Sequence, residues 1–419
     1  MSHSLDGFTP SSIERPEALD QLSKTLAVIT SAGHSATPWG GGTRIGIGNI
    51  PTSYDTAIDL SGFTGKIEHE PGDMTVVANA GVTISTLNAL LAKEGQRLAF
   101  EVRNPDRATV GGSVASNAPG HRQSSTGGIR DWVIGMQIVL ADGTVTKSGG
   151  RVVKNVQGYE LHRLHTGAYG TLGVVSQAAF KLLPLPPEQQ TVIAWFDDQE
   201  VAQEVGMSFV NGLFMPEAIS LLSGPLASQT LEAADESVPT SDIWALLIRL
   251  GGGVRSIERQ VNEVVGTAGA AGANGYAVLN DVVANSAWRR LDKAESAADL
   301  SIRMTSRPLV TLEASDTIRT EVLNAYQSDI STICDLGFGA MTLLTSTSSE
   351  EESALISNTI IKEIIKRPAS YVIEKCPLNV KQAGDVFSDV GNSIELMRRI
   401  KNQYDPANTL NPGRFAGKI

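Results

Sequence analysis

Three consecutive glycines, in Trp39-Gly40-Gly41-Gly42-Thr43-Arg44, are the first residues here whose spacing points to chemistry. Backbone N–H groups free of side chains can converge on one anion. Each charged contact of that kind is worth about 1.5–3 kcal/mol. Thr43 adds a hydroxyl and Arg44 a cation. The run matches neither G-x-x-x-x-G-K-[ST] nor G-x-G-x-x-G, so it is not a common nucleotide fingerprint. A second cluster spans 108–120 and contains Thr109, Gly111, Gly112, Ser113, Ala115, Ser116, Asn117 and Gly120. Its small side chains leave room for a planar ligand against the backbone. Gly127-Gly128-Ile129-Arg130-Asp131 follows closely, then Lys154–Tyr159 and Gly167–Val175, which includes Gly173, Val174 and Val175. A large cofactor with a diphosphate explains this density of glycines better than turns alone.

The elements that hold these loops follow from periodicity. Leu19, Leu22, Leu26 and Ile29 share one face of a helix over Ala18–Thr30. A strand near Ala57–Leu60, two strands about the turn at Pro71-Gly72-Asp73, and a helix from Ile84 capped by Thr83 come next. Asp142-Gly143 makes the turn of a hairpin over 132–147. The run Leu183-Pro184-Leu185-Pro186-Pro187 opposes helix and central strand, and marks a domain boundary. Beyond it, strands are expected near 191–196, 217–222, 243–249, 308–313 and 338–345. They make an antiparallel sheet with helices on one face. The divisions expected are an extension over 1–17, a cofactor-binding domain over 18–187, an α+β cap domain over 188–375 and a returning segment over 376–419. The last holds an amphipathic stretch, Ile394–Ile400, and then Asn411-Pro412-Gly413-Arg414.

The series V-G-G-S-V-A-S-N-A-P-G, G-x-R-D-x-V-I-G, the stretch from Val152 to Val175, and the ending Y-D-P-A-N-T-L-N-P-G-R-F resembles the PCMH-type (vanillyl-alcohol oxidase) FAD-binding flavoproteins. The similarity covers 36–187 and 395–415, and is strongest to the E-subunit group of bacterial glycolate oxidases. It implies an α+β fold: an FAD domain of two α+β subdomains, then the cap. It also implies that Gly40–Thr43 and Gly111–Gly120 wrap the diphosphate and ribityl chain. Gly173–Val175 would meet the adenine end, and Asn411–Arg414 would return to the flavin side. Members that attach FAD covalently often carry a histidine after the glycines. Thr43 and Arg44 stand there instead, so non-covalent FAD is expected.

All six histidines lie at or before 165. The hydroxy-acid-oxidising large-subunit relatives place metal-binding histidines in the second domain, which 166–419 cannot supply. His121 follows the 108–120 loop and is a candidate base; His162 and His165 are read as structural. Arg122, Arg130 and Arg414 are candidates to stabilise charge at a reduced flavin, Arg414 foremost. A substrate site in the second domain would draw on Arg303, Arg307 or Glu313.

A net charge of -11 with no basic stripe argues against a nucleic-acid partner. The N-terminus has no apolar signal region, and no apolar run reaches the roughly 18–20 residues of a membrane span. A cytoplasmic protein is expected, with any attachment to the inner membrane face made through partners. Cys334 and Cys376 are too few for a disulfide framework or an iron–sulfur cluster and are read as buried, reduced thiols. Three functions remain open. The chain is a subunit of a glycolate oxidase-like complex, with a catalytic flavoprotein and an iron–sulfur subunit as partners and a small 2-hydroxy acid such as glycolate as substrate. It is a self-sufficient FAD-dependent oxidase or dehydrogenase. Or it is a flavin-binding scaffold.

Overall fold

The computed structural model describes residues 3–65, 67–151, 158–234 and 243–419. The Lys154–Gln157 part of the glycine-rich series lies outside them. The chain forms two compact units. The first comprises 1–120, 128–185 and 385–419, and the second 121–127 and 186–384.

The first unit contains two sheets. The smaller is parallel, with strands Ser12–Glu14, Thr56–Asp59 and Ala36–Trp39 in that spatial order. The helix Leu19–Ser31 turns Leu22, Leu26 and Ile29 inward, as its spacing predicts. They join Ala36, Ile58, Val139, Val174 and Leu410 in one cluster. The larger sheet is antiparallel and ordered Glu68–Glu70, Thr75–Asn79, Val174–Pro184, Val133–Val139, Val145–Gly149, with Gln96–Leu98 also paired to Val174–Pro184. Its hairpin turns at Gly143, whose φ of 86° suits glycine. Thr83 caps the helix Ile84–Ala92, its hydroxyl accepting from the Thr86 N–H. Val110, Val114, Leu87 and Leu91 pack with Val76, Ala78 and Phe180 in the main core of this unit. That packing fixes the short helix Val110–Ser116 against the sheet.

The second unit is built on one eight-stranded antiparallel sheet. Its spatial order is Gly275–Leu279, Glu188–Phe196, Trp244–Gly252, Ala218–Ser223, Ser331–Asp335, Ala340–Thr345, Leu300–Thr305, Ser370–Lys375. Two expectations are corrected. Residues 308–313 are not a strand but open the helix Pro308–Tyr326. Pro308 sits at its first turn, where a missing N–H costs nothing, and this outweighs the β-propensity of Leu-Val-Thr-Leu. Helices also cover both faces of the sheet. Trp288, from Asp281–Ala297, donates to Thr191 Oγ1, while Gly206, from Gln199–Val210, packs on Leu246. Leu246 is the register partner of Ala194, which faces away from Thr191. Continuous burial along Thr191–Phe196 and Ala218–Ser223 follows from that double cover. Cys334 is buried, which pushes its thiol up to about 12. Cys376 is only half-buried, which corrects the expectation of two buried thiols.

Candidate functional site

Both glycine-rich loops line one groove in the first unit. A space of about 560 Å³ is bordered by Gly40–Arg44, Ile45, Ile47, Thr109, Gly112, Ala115, Ser116, Tyr169, Asn411 and Arg414. A second space of about 410 Å³ shares Pro38, Gly40, Thr109, Gly112, Ala115 and Tyr169 with it. It continues to Trp39, Leu60, Ala80, Gly111, Gly170 and Gly173–Val175.

The glycines serve close packing between the two loops as well as open backbone. A β-carbon on Gly40 would strike the Thr109 hydroxyl, and one on Gly41 would strike the Arg107 carbonyl. Gly42 has φ of 70°, which a side chain would strain. Arg107 Nη2 donates to the Gly41 carbonyl at 3.0 Å and so ties the loops together. Thr109 is the N-cap of Val110–Ser116, its Oγ1 accepting from the Gly112 N–H at 3.3 Å. A β-carbon on Gly111 would press on Ala80, and one on Gly173 on the Ile138 side chain.

The C-terminal segment closes the groove. Ala36 exchanges backbone bonds with it, the Ala36 N–H donating to the Thr409 carbonyl and the Asn411 N–H donating to the Ala36 carbonyl. Asn411 Nδ2 donates to the Tyr169 carbonyl at 2.6 Å. Arg414 is 3% exposed, and its Nη2 donates to the carbonyls of Ile45 and Ile47. Burial draws its pKa down, while Asp6, Tyr169 and Tyr54 push it back up. Arg414 Nε and Asn411 Oδ1 are buried without a hydrogen-bond partner among the described residues. Such groups are costly unless a ligand satisfies them. A groove of glycines and small polar residues with one buried cation therefore fits FAD. Neither groove is lined by a histidine or cysteine.

Several expected residues lie outside both grooves. Ser113 is buried on the inner side of its helix, with Oγ unpartnered among the described residues. Asn117 ends that helix at φ 44°. Gly120 abuts the Glu101 carbonyl, and the Gly128 N–H is taken by Asp131 Oδ2. Arg130 uses its backbone N–H on Asn117 Oδ1. His121 and Arg122 belong to the second unit. His121 Nε2 lies 3.1 Å from Asp292 Oδ1, with its ring against Trp288, and Arg122 pairs with Glu217 at 3.5 Å. The stretch 121–127 thus gives the second unit a histidine that 166–419 lacks. His162 and His165 are buried, and burial drives His165 down to about 4. No group of three or more metal-ligating side chains occurs among the described residues.

Three site residues were not singled out from sequence. Tyr169 lines both grooves at φ 53°, its ring against Phe387 and Phe415. Arg107 braces the glycine loop. Tyr54 accepts from Trp39 Nε1 at 2.7 Å and donates to the His3 carbonyl at 2.8 Å. Burial raises its phenol to about 12, so it stays a neutral donor. Tyr169 between Ala168 and Gly170 was the one detectable signal: an aromatic inside a glycine run.

Residues 10–149 match the FAD binding domain family, and residues 388–415 match the C-terminal domain of FAD linked oxidases. Glycolate oxidase subunit GlcD of Bacillus subtilis is 26% identical over 98% of this chain and 89% of its own length. Glycolate oxidase subunit GlcE of Escherichia coli is 34% identical, over 35% of this chain and 43% of its own. In fold, the substrate-bound crystal structure of p-cresol methylhydroxylase superposes with a TM-score of 0.74 at 16% identity, over 97% of this chain and 88% of that one. The chain thus carries an FAD binding domain and the C-terminal segment of FAD linked oxidases, shares the fold of p-cresol methylhydroxylase, and is an FAD-dependent oxidoreductase.

Proposed function

We propose that this chain oxidises a small 2-hydroxy acid through non-covalently held FAD, as a subunit of a glycolate oxidase-like complex. The observation carrying the cofactor's place is the convergence of Gly40–Arg44, Thr109–Ser116, Asn411 and Arg414 on one groove. The substrate class is supported by relatives named for glycolate, D-lactate and D-2-hydroxyglutarate. When bound, FAD supplies the two-electron acceptor. The chain's own residues do the rest. Backbone N–H groups of Gly40–Thr43 meet the diphosphate, and Arg414 offers a buried cation whose Nε awaits an acceptor.

A self-sufficient dehydrogenase is the second reading. It is favoured by the match to the GlcD subunit across nearly the whole chain, where the GlcE match spans only 149 residues. Anaerobic mixing of the flavin-loaded chain with glycolate, D-lactate or L-lactate separates the two. Bleaching of flavin absorbance only when co-purified partners are present supports the complex. Bleaching by the chain alone supports the second reading, and no bleaching in either form sinks both. No described helix is long and apolar enough to cross a membrane.

A further inference from the structure

The sheet of the second unit carries a polar row that the cofactor groove does not use. Register places Thr191, Arg249 and Ala218 on one face, and the same face continues through Ser220 and Asp335 to Ala340. Thr305 and Arg303 follow, opposite Ala340 and Thr342. The helices Pro225–Glu232 and Asp281–Ala297 cover the apolar half of this face, packing on Ile193, Leu222 and Leu247. The stretch 121–127 lies on the polar half. Arg303 Nη2 donates to Gln123 Oε1 at 2.5 Å, and Ser125 Oγ donates to the Glu217 carbonyl at 2.8 Å.

Within that row Asp335 is half satisfied. Its Oδ1 accepts from the Phe338 N–H at 3.0 Å, but Oδ2 is buried with no hydrogen-bond partner among the described residues. Burial raises the carboxyl to about 6, against the backbone N–H groups of Phe338 and Gly337 and the positive influence of Arg303 and His121. In its ionised form this carboxylate only accepts. The missing partner is a donor. Arg303 stands two strands away and two residues along, opposite Thr342, so the backbones lie about 12 Å apart, a gap its long side chain can shorten. The strand between presents only a methyl, Ala340, opposite Asp335. A ligand carboxylate would exchange the neutral Gln123 amide on Arg303 for a charge-assisted contact.

A cation and a donor-seeking oxygen on one face of the sheet match a molecule with a carboxylate and a hydroxyl on adjacent carbons. We propose that Arg303 and Asp335 are the recognition pair for the 2-hydroxy acid, Arg303 taking the carboxylate and Asp335 Oδ2 accepting the hydroxyl hydrogen bond. The assignment rests on the hydroxy-acid reading above but concerns binding, not turnover. It makes the hydroxyl a condition of affinity, since an analogue without it leaves Oδ2 unpaired.

The test is calorimetric titration of the FAD-loaded full chain, its flavin reduced photochemically so that no oxidation occurs, with glycolate and with acetate. The wild type is expected to bind glycolate about 10–100-fold more tightly than acetate. Asp335→Ala should bring the two within about twofold, and Arg303→Met should weaken both alike. Asp335→Asn keeps an acceptor for the Phe338 N–H, so it guards against misfolding. It should lose most of the preference, because the amide NH2 that replaces Oδ2 is a donor and cannot accept the hydroxyl hydrogen bond. Equal binding of the two acids by the wild type overturns the assignment, as does a preference that survives intact in Asp335→Asn. Strong glycolate preference in this titration, with no bleaching of oxidised flavin in the separate anaerobic mixing with glycolate, would leave this pair standing and remove the oxidation reading.

Discussion

Lys401 Nζ lies 2.6 Å from Asp405 Oδ2, with both side chains almost wholly buried. The ammonium also donates to the carbonyls of Thr171 and Leu410, at 2.9 and 2.8 Å. Asp405 accepts from the backbone N–H groups of Thr409 and Leu410. One ion pair therefore clamps the helix Ser393–Tyr404 to the glycine-rich 167–175 stretch and to the segment leading to Asn411 and Arg414. Desolvation pulls the Lys401 pKa down, and Asp405 opposes that pull.

Breaking such a pair from one side strands a buried charge and costs about 3–5 kcal/mol. Lys401→Met is expected to lower the thermal midpoint by several degrees or more and to cut the flavin-to-protein ratio of the purified chain. Scanning calorimetry and the absorbance ratio near 450 and 280 nm read the two effects together. A variant with unchanged flavin content would show that the clamp does not position the groove.

Gly41→Val should yield folded protein with little FAD, or none folded. The added side chain meets the Arg107 carbonyl, so the loop must leave the position it holds against Thr109. Arg107→Ala is the milder probe, because it removes the 3.0 Å bond to the Gly41 carbonyl without adding bulk to the loop. It is expected to weaken FAD binding by about fivefold to tenfold while leaving the fold intact, as one hydrogen bond is worth about 1 kcal/mol. Fluorescence titration of the apoprotein measures it; an unchanged Kd would deny Arg107 its bracing role.

His165 makes stability depend on pH in a stated direction. Its folded pKa of about 4 lies below the unfolded value of 6.5. Between those values the unfolded chain holds a proton that the folded chain does not, so stability falls as pH drops from about 6.5 towards 4. The ceiling of this contribution is about 3 kcal/mol. Urea unfolding of wild type and His165→Gln at pH 7.5 and 5.0 should show a smaller acid-induced loss in the variant. Equal losses would place the acid sensitivity elsewhere.

Thr43 and Arg44 follow the glycines, and neither groove is lined by histidine or cysteine. Acid precipitation should therefore release all the flavin into the supernatant. Yellow colour retained in the pellet would mean a covalent link.

The first half of the chain was the more legible. Glycine clusters and helix caps such as Thr83 act through local chemistry, so residue type and spacing expose them. The pairing of Arg107 with Gly41 across 66 residues, or of Lys401 with Thr171 across 230, is set by tertiary packing that no local pattern encodes. The second unit was harder for the same reason. Its central strands are buried on both faces and lose the alternation that identifies a strand, and Leu-Val-Thr-Leu after Pro308 became helix through capping and packing. His121 could be seen as a loop histidine, but its place beside Asp292 depends on 121–127 joining a different unit from its sequence neighbours.

Hydrogen–deuterium exchange of the apoprotein with and without FAD tests the cofactor groove most directly. Binding is predicted to slow exchange at Gly40–Arg44, Val110–Ser116 and Asn411–Arg414 together, because these segments border one space. Protection confined to other segments, with these three unchanged, would contradict the account.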